Sequence, residues 1–284
     1  MCIDSLTNID TDNVTNCLKN LKDGIESVGK ISEIIIAIQT KFQSQEYLAA
    51  KKLYFENIAN NNVLSLPEKM ALILNAEEKL REYKNQGDIL IRAEEKLNGK
   101  INNDIDYDWF NYFLDKTRLV SNDEMKNVWA MILAKESENP DSVSKQLMHV
   151  ISIISPGEAK IFNKISKYTI NIHTDDEQEF VPMIYYDDNK HFYDERINND
   201  ELIGLESLGL IKKSSVGTLF FNLDNVKKDV FISYGEYDVK CDSSTKSIEF
   251  GPVSYTRIGL ELYNLLDKEI DSEFYRNVLN KDNM

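Results

Sequence analysis

Asp229 and, on the next β-type run, Asp238-Val239-Lys240 place two carboxylates and a lysine at the loose D…D-x-K spacing of metal-dependent nucleases. In such sites the paired carboxylates hold a divalent ion, and the lysine steadies the attacking water or the transition state. Acid-x-lysine also arises by chance in a chain of which 29% is charged. A solvated strand face is therefore the preferred reading, with the nuclease set Asp229, Asp238 and Lys240 as the alternative. The best metal-type cluster is DDNKHFYDE, residues 187 to 195. Asp187, Asp188, His191 and Asp194 can meet around a divalent ion, although an exposed polar hairpin explains the same residues. A third stretch, LVSNDEMKNVWAMILAKE (119 to 136), gathers carboxylates, a tryptophan and two lysines within a few helical turns. Read as a helix, it puts Asp123 and Glu124 in the first turn, where they favour the macrodipole, and turns Trp129 to the core. It is the inside of a fold rather than an active site. No phosphate loop, dinucleotide fingerprint, GxSxG elbow or HExxH pair is present. No catalytic, cofactor-binding or metal-binding residue is assigned, and no cofactor is expected.

The elements that must carry these residues change character along the chain. In the first 60 residues, Ile25, Val28, Ile31, Ile35 and Ile38 recur at helical spacing, and YLAAKKLYFENIANNN runs to an asparagine-rich stop. Ser65 and Glu68, with Pro67 between them, form a capping signature for a helix of about 30 residues whose weak point is Gly87. DYDWFNYFLDKTRLV places Trp109, Phe110, Phe113, Leu114 and Thr117 on one side. Ser121 with Glu124 is expected to cap the next helix, whose stripe is Met125, Val128, Trp129, Ile132 and Leu133. PDSVSKQLMHVISII continues with Val143, Leu147, Val150, Ile151 and Ile154, and His149 beside the stripe is expected to be a partly buried packing residue. Ser155, Pro156 and Glu158 then open a helix with Phe162, Ile165 and Tyr168 on its inner side.

After about residue 170 the period shifts from 3.6 to 2. FVPMIYY, VGTLFFN, DVFISYG, EYDVKCD and KSIEFGPVSY read as short strands, interrupted by helices at NDELIGLESL and TRIGLELYNLLDKE. A helix ending in LESLGLIKK and running into a hairpin is how winged-helix domains commonly look, and TRIGLEL is similar to their helix-opening LTxxG element. The fold class expected is mainly α with a C-terminal α+β module: a helical bundle followed by a winged-helix-like domain. The expected segments are N-terminal helices (1–62), a helical bundle (63–170) and the winged-helix-like part (171–284). The structural core of the chain is expected to be built on Trp109, Phe113, Trp129, Ile132 and Phe162.

Charge narrows the function classes. The chain carries 33 Lys and Arg against 48 Asp and Glu, a net charge of −15, and residues 168 to 268 carry 10 against 19. A nucleic-acid reader needs a positive face, so nucleic acid is disfavoured and a protein-contacting or oligomerising wing is expected. The longest pure apolar run, Val128 to Ala134, is far short of the roughly 20 residues a membrane helix needs, so no membrane span is expected. Three scattered cysteines (Cys2, Cys17 and Cys241) and the lack of a signal-type start point to a cytoplasmic protein with reduced thiols.

The segments from DYDWFNYFLDKTRLVSNDEMKNVWAMILAKE through PDSVSKQLMHVISIISPGEAKIF and NDELIGLESLGLI to VSYTRIGLEL, in this order and spacing, resemble bacterial domain-of-unknown-function family 2806. The resemblance covers roughly residues 65 to 268. Family members commonly show Pro-Gly where this chain has Pro140-Asp141. SNDEMKNVWAMILAKE is also similar to a segment of the abortive-infection alpha family. The resemblance implies no catalytic residues, and by analogy it points to bacterial antiphage defence. The function expected is a non-enzymatic interaction or oligomerisation protein, sensing or sequestering a protein partner, a phage-encoded one included, and forming a homo-oligomer. The alternatives are a metal-dependent nuclease effector and an acidic winged-helix regulator.

Overall fold

The computed structural model describes residues 45–97, 105–175, 181–185, 197–215, 217–223, 229–241, 246–266 and 269–276. The isoleucine stripe of residues 25–38 and the cluster at 187–195 lie outside them. The protein is mainly helical, with antiparallel sheets in its C-terminal part. It divides into two compact units between Lys145 and Gln146.

The first unit holds α1 (Gln45–Asn60), α2 (Leu66–Leu97), α3 (Tyr107–Thr117) and α4 (Asp123–Glu138). Glu68 starts α2 by accepting from Ser65 N at 2.8 Å, and the helix runs unbroken through a buried Gly87. Packing outweighs the intrinsic helix cost of that glycine. Along α3 the buried residues are Trp109, Phe110, Phe113, Leu114 and Thr117, the side expected from spacing. The cap of α4 is a correction: Asn122, not Ser121, has the extended backbone and accepts from Met125 N at 2.9 Å. Both side chains are good caps, and the helix starts one residue later than the Ser-x-x-Glu pattern implied. Trp129, Ile132 and Leu133 are fully buried. Phe113 stacks on Trp109 (5.6 Å between centroids) and meets Trp129 edge-on at 5.7 Å, the offset and T-shaped arrangements aromatic quadrupoles favour.

The second unit takes in nearly all of α5 (Lys145–Ile153), then α6 (Pro156–Ser166), β1 (Thr169–Thr174), β2 (Val181–Ile184) and α7 (Asn199–Ser207). Six short strands follow: β3 (Ile211–Lys213), β4 (Leu219–Asn222), β5 (Val230–Tyr234), β6 (Tyr237–Lys240), β7 (Ser247–Gly251) and β8 (Val253–Tyr255). The chain then forms α8 (Arg257–Tyr263) and α9 (Ser272–Phe274). His149 is exposed on α5 rather than partly buried, because Leu147, Met148, Val150 and Ile151 supply the buried side. The Ser155–Glu158 capping box with Pro156 forms as expected, and Phe162 and Ile165 are buried. The helix expected over TRIGLELYNLLDKE is shorter, ending at Tyr263. KSIEFGPVSY is two strands rather than one, parted at Gly251-Pro252, since proline cannot donate to a ladder.

A four-stranded antiparallel sheet runs in the order β2-β1-β5-β6. Two further pairs, β4 with β7 and β3 with β8, are nested outside the β5–β6 hairpin. Residues 211 to 255 thus fold back on themselves as successive antiparallel pairs. The innermost turn is Gly235-Glu236, with Gly235 at φ 61, the backbone that the first position of a tight hairpin turn demands. At the outer end Thr256 caps α8, accepting from Gly259 N at 3.1 Å and donating to Gly209 O. A Cβ at residue 259 would lie 1.8 Å from Leu210 O, so the Thr-x-x-Gly pattern closes this clasp only with glycine in its last place. The inner side of the four-stranded sheet carries Ile170, Ile172, Ile232 and Tyr234, all buried. Phe274 of α9 packs its ring edge-on to those of Tyr168, Tyr185 and Tyr234.

Candidate functional site

Strand register decides what Asp229, Asp238 and Lys240 become. Phe231 is opposite Lys240 and Ser233 opposite Asp238 in the β5–β6 hairpin, while His173 and Asn171 of β1 face Phe231 and Ser233. Alternation therefore collects His173, Phe231, Asp238 and Lys240 on one face of the sheet. Asp229 is a diagonal neighbour of Lys240, within reach of a long side chain. Lys240 Nζ contacts Asp229 Oδ2 at 2.5 Å, and both groups are more than half exposed. Asp238 Oδ1 instead approaches His173 Nε2 at 3.5 Å, and the imidazole stacks on Phe231 at 5.3 Å. The three residues of the nuclease pattern share a face, then, but the carboxylates part: one takes the lysine and the other the histidine. Among the described residues no group of three or more His, Cys, Asp or Glu is placed to hold a metal ion. His173 has no counterpart in the sequence reading, because only the sheet register brings residue 173 to residue 238.

In the first unit, charged and polar groups pair at successive turns of α2 where it packs on α3 and α4, with Glu82 and Lys126 themselves buried. Glu82 accepts from Arg118 at 2.7 Å and from Lys79 at 2.8 Å. Burial opposes its ionisation, but those two bonds outweigh burial and hold its carboxyl below the ordinary value. Asn85 donates to Arg118 O and Gln86 to Leu114 O. Lys126, buried, reaches Asp88 at 2.8 Å, and Arg92 meets Asp123 at 2.5 Å. Asp123, read as a helix-dipole residue, is thus also an inter-helix partner. Apolar periodicity cannot find such a seam, since every member counts as polar.

Glu136 is the other buried carboxylate. It accepts from Asp141 N at 2.8 Å and from Val143 N at 2.9 Å, closing the turn after α4. Burial pushes its pKa up despite those donors, and the Asp141 carboxylate adds to the rise. Asp141 has φ 66, the left-handed backbone that glycine adopts freely. The turn is therefore the one a Pro-Gly sequence would make, with aspartate in the glycine's place. Val143 O in turn accepts from Trp109 Nε1 at 2.7 Å. Trp129 Nε1, fully buried, has no acceptor among the described residues.

The surface of the first unit carries an apolar row. Leu66, Met70 and Leu74 are 71%, 54% and 60% exposed and recur every fourth residue on the first half of α2, so they form one ridge. Buried residues on α2 begin only at Glu82. Leu48 and Leu53 of α1 and Val63 between the helices are exposed as well. No helix among the described residues is long and apolar enough to cross a membrane.

The profile of the family described as Protein of unknown function (DUF2806) matches residues 75–279, and the chain belongs to that family. No curated protein and no solved structure matches it.

Proposed function

We propose that this DUF2806 chain is a contact protein rather than an enzyme, and that it serves bacterial antiphage defence by binding a protein partner. The observation that carries the proposal is the Leu66–Met70–Leu74 ridge. Single exposed apolar residues are ordinary on protein surfaces, but an aligned row is what a helix offers to a partner. The defence setting is supported by the resemblance of residues 121–136 to the abortive-infection alpha family. The second unit is read as a wing-like contact module. Its support is a helix leading into a nested antiparallel ribbon and then into a helix opened by Thr256-x-x-Gly259. Its acidic balance favours a protein over a nucleic acid as the surface it meets.

The test is a plaque assay over a broad phage panel, with two variants beside the wild type. Met70→Glu/Leu74→Glu alters exposed positions, so its stability should stay within about 0.5 kcal/mol of wild type while protection is lost. Asp238→Ala/Lys240→Ala should fold normally and keep protection, and purified wild type with Mg²⁺ or Mn²⁺ should leave plasmid, phage DNA and RNA intact. Protection retained by the ridge variant would refute the contact reading. Cleavage of nucleic acid that disappears in Asp238→Ala/Lys240→Ala would install the nuclease instead. Absence of protection in the wild type would remove the defence setting.

A further inference from the structure

The segment that follows α8 lies on one end of the four-stranded sheet as a bound peptide would. That end gathers Lys167 and Tyr168 before β1, Tyr185 after β2, and Tyr234, Gly235 and Tyr237 around the β5–β6 turn. Within residues 269–276 only Phe274 is buried, at 0% exposure, and its neighbours are exposed or half-buried. A core helix buries a periodic stripe, whereas a docked segment is held by one anchor in a pocket with lighter contacts around it. The pocket is the set of Tyr168, Tyr185 and Tyr234 rings, 5.3, 5.4 and 5.1 Å from that of Phe274. Around the anchor, Asp271 N donates to Tyr234 Oη at 2.8 Å, and the same hydroxyl donates to Lys167 O at 2.8 Å. Tyr275 stacks on Tyr237 at 3.9 Å, and Lys167 Nζ meets exposed Glu269 at 2.6 Å. Gly235 leaves room for Ile270, since a Cβ there would lie 2.1 Å from Ile270 Cδ1.

We propose that this end of the sheet is a peptide-binding site and that residues 269–276 are its resident ligand. Its ligand class is a short acidic segment with an Asp-x-x-Phe-Tyr core, and a partner protein presenting such a segment displaces the tail. Each position of that core has a task. Asp271 caps the single turn α9 by accepting from Glu273 N and Phe274 N at 2.8 and 3.0 Å, and the turn aims the Phe274 ring at the pocket. Tyr275 supplies the stack on Tyr237. The remaining links are replaceable: water takes over a backbone N–H, and an exposed ion pair contributes little. The tail follows α8 after a short connection, so it competes at an effective concentration of about 1 mM. A segment that binds with its own Kd of about 100 µM or lower would then hold the site closed for about nine-tenths of the time or more. The site is separate from the α2 ridge, and the outcome of the ridge variants does not bear on it.

The probe is a fluorescent peptide with the sequence of residues 269–276, titrated by anisotropy against the full-length chain. Phe274→Ala should vacate the site and bind the peptide at least about tenfold more tightly than the wild type does. Glu269→Ala/Tyr275→Ala, which alters an exposed and a half-buried position, should give a smaller gain. The same peptide with alanine in place of its phenylalanine should bind none of them. Hydrogen exchange on the wild type supplies a reading without substitutions. The amides of Phe274 and Tyr275 should exchange by local opening, at least about tenfold faster than those of Ile232 and Tyr234 in β5. Millimolar peptide should speed the tail's exchange and leave β5 protected. A folded Phe274→Ala chain that binds the peptide no better than the wild type would overturn the inference. Tail amides that exchange only together with those of β5 would overturn it too, whether or not Phe274→Ala folds, because the segment would then be part of the core.

Discussion

Changing each tryptophan to phenylalanine removes the same atoms from two buried sites that differ in one respect. Trp109 donates to Val143 O, whereas Trp129 Nε1 has no acceptor among the described residues. Trimming indole to phenyl leaves a cavity worth about 1–2 kcal/mol at either site, well below the roughly 3–5 kcal/mol of truncation to alanine. At Trp109 the lost hydrogen bond adds about 1 kcal/mol, giving a total of about 2–3 kcal/mol. At Trp129 the substitution removes a buried donor whose unmet desolvation costs about 1–3 kcal/mol, so cavity and relief nearly cancel. Trp109→Phe should therefore be the more destabilising change by about 2 kcal/mol, while Trp129→Ala should still cost about 3–5 kcal/mol. These are the chain's 2 tryptophans, and both lie before Lys145, so indole fluorescence reports unfolding of the first unit. In urea, with a slope of about 1–3 kcal/mol per molar, the two midpoints should separate by about 1 M. Equal midpoints, or a lower one for Trp129→Phe, would refute the account of the orphaned indole.

Other outcomes follow from the turn after α4 and from the Thr256 clasp. The pKa of Glu136 is raised in the folded state, so its ionised form opposes folding. Acidification from neutral pH toward the ordinary carboxylate range should stabilise the wild type relative to Glu136→Gln, as read by urea titrations at stepped pH; a flat difference would exclude the burial effect. Glu82 has the opposite sign: its folded pKa is lowered, so its contribution persists above the ordinary value and is lost only as pH falls below it. Asp141→Gly should stabilise the first unit by about 0.5–1 kcal/mol, because relief of the left-handed backbone and of the Glu136 repulsion exceeds the added freedom of the unfolded chain. Gly259→Ala should cost about 3 kcal/mol, the upper end for overpacking, and its thermal unfolding in the tyrosine near-ultraviolet band should shift down accordingly.

What could be read in the sequence was what is decided within a few residues. The Ser155–Glu158 box, the α3 side from Trp109 to Thr117 and the Trp129–Ile132–Leu133 stripe are local, with each residue's role fixed by neighbours three or four places away. The cap of α4 was missed by one position because Ser121 and Asn122 both suit it, and only backbone geometry chooses between them. Buried Glu82, Lys126 and Glu136 went unread because a pattern of apolar residues assigns charge to the surface. Asp238 and Lys240 could be placed on a common face from their two-residue spacing alone. Their partners could not, since Asp229 is set by the hairpin register and His173 by a strand more than sixty residues earlier. The ridge on α2 was hidden differently: Leu66, Met70 and Leu74 look like core, and nothing in their spacing says that the core begins only later in the same helix.

The nested ribbon also has a consequence in time. Once the Gly235-Glu236 turn brings Tyr234 to Tyr237, β4 and β7 need only close the short loops left beside a hairpin already made, and β3 and β8 follow in the same way. Loop-closure entropy grows slowly with length but is met in full for the first contact, so closing from the tip outward avoids the long search that a pairing of residues 211 and 255 would need by itself. The β1–β5 pairing has no such shortcut, because its strands stand far apart in the chain and, among the described residues, no antiparallel pair is nested between them. Contacts of that separation are what slow folding. The ribbon should therefore zip early and the sheet it joins complete late, so a lesion at Gly235 would delay every outer rung, while one at Gly259 would leave the ribbon formed and its base unlatched.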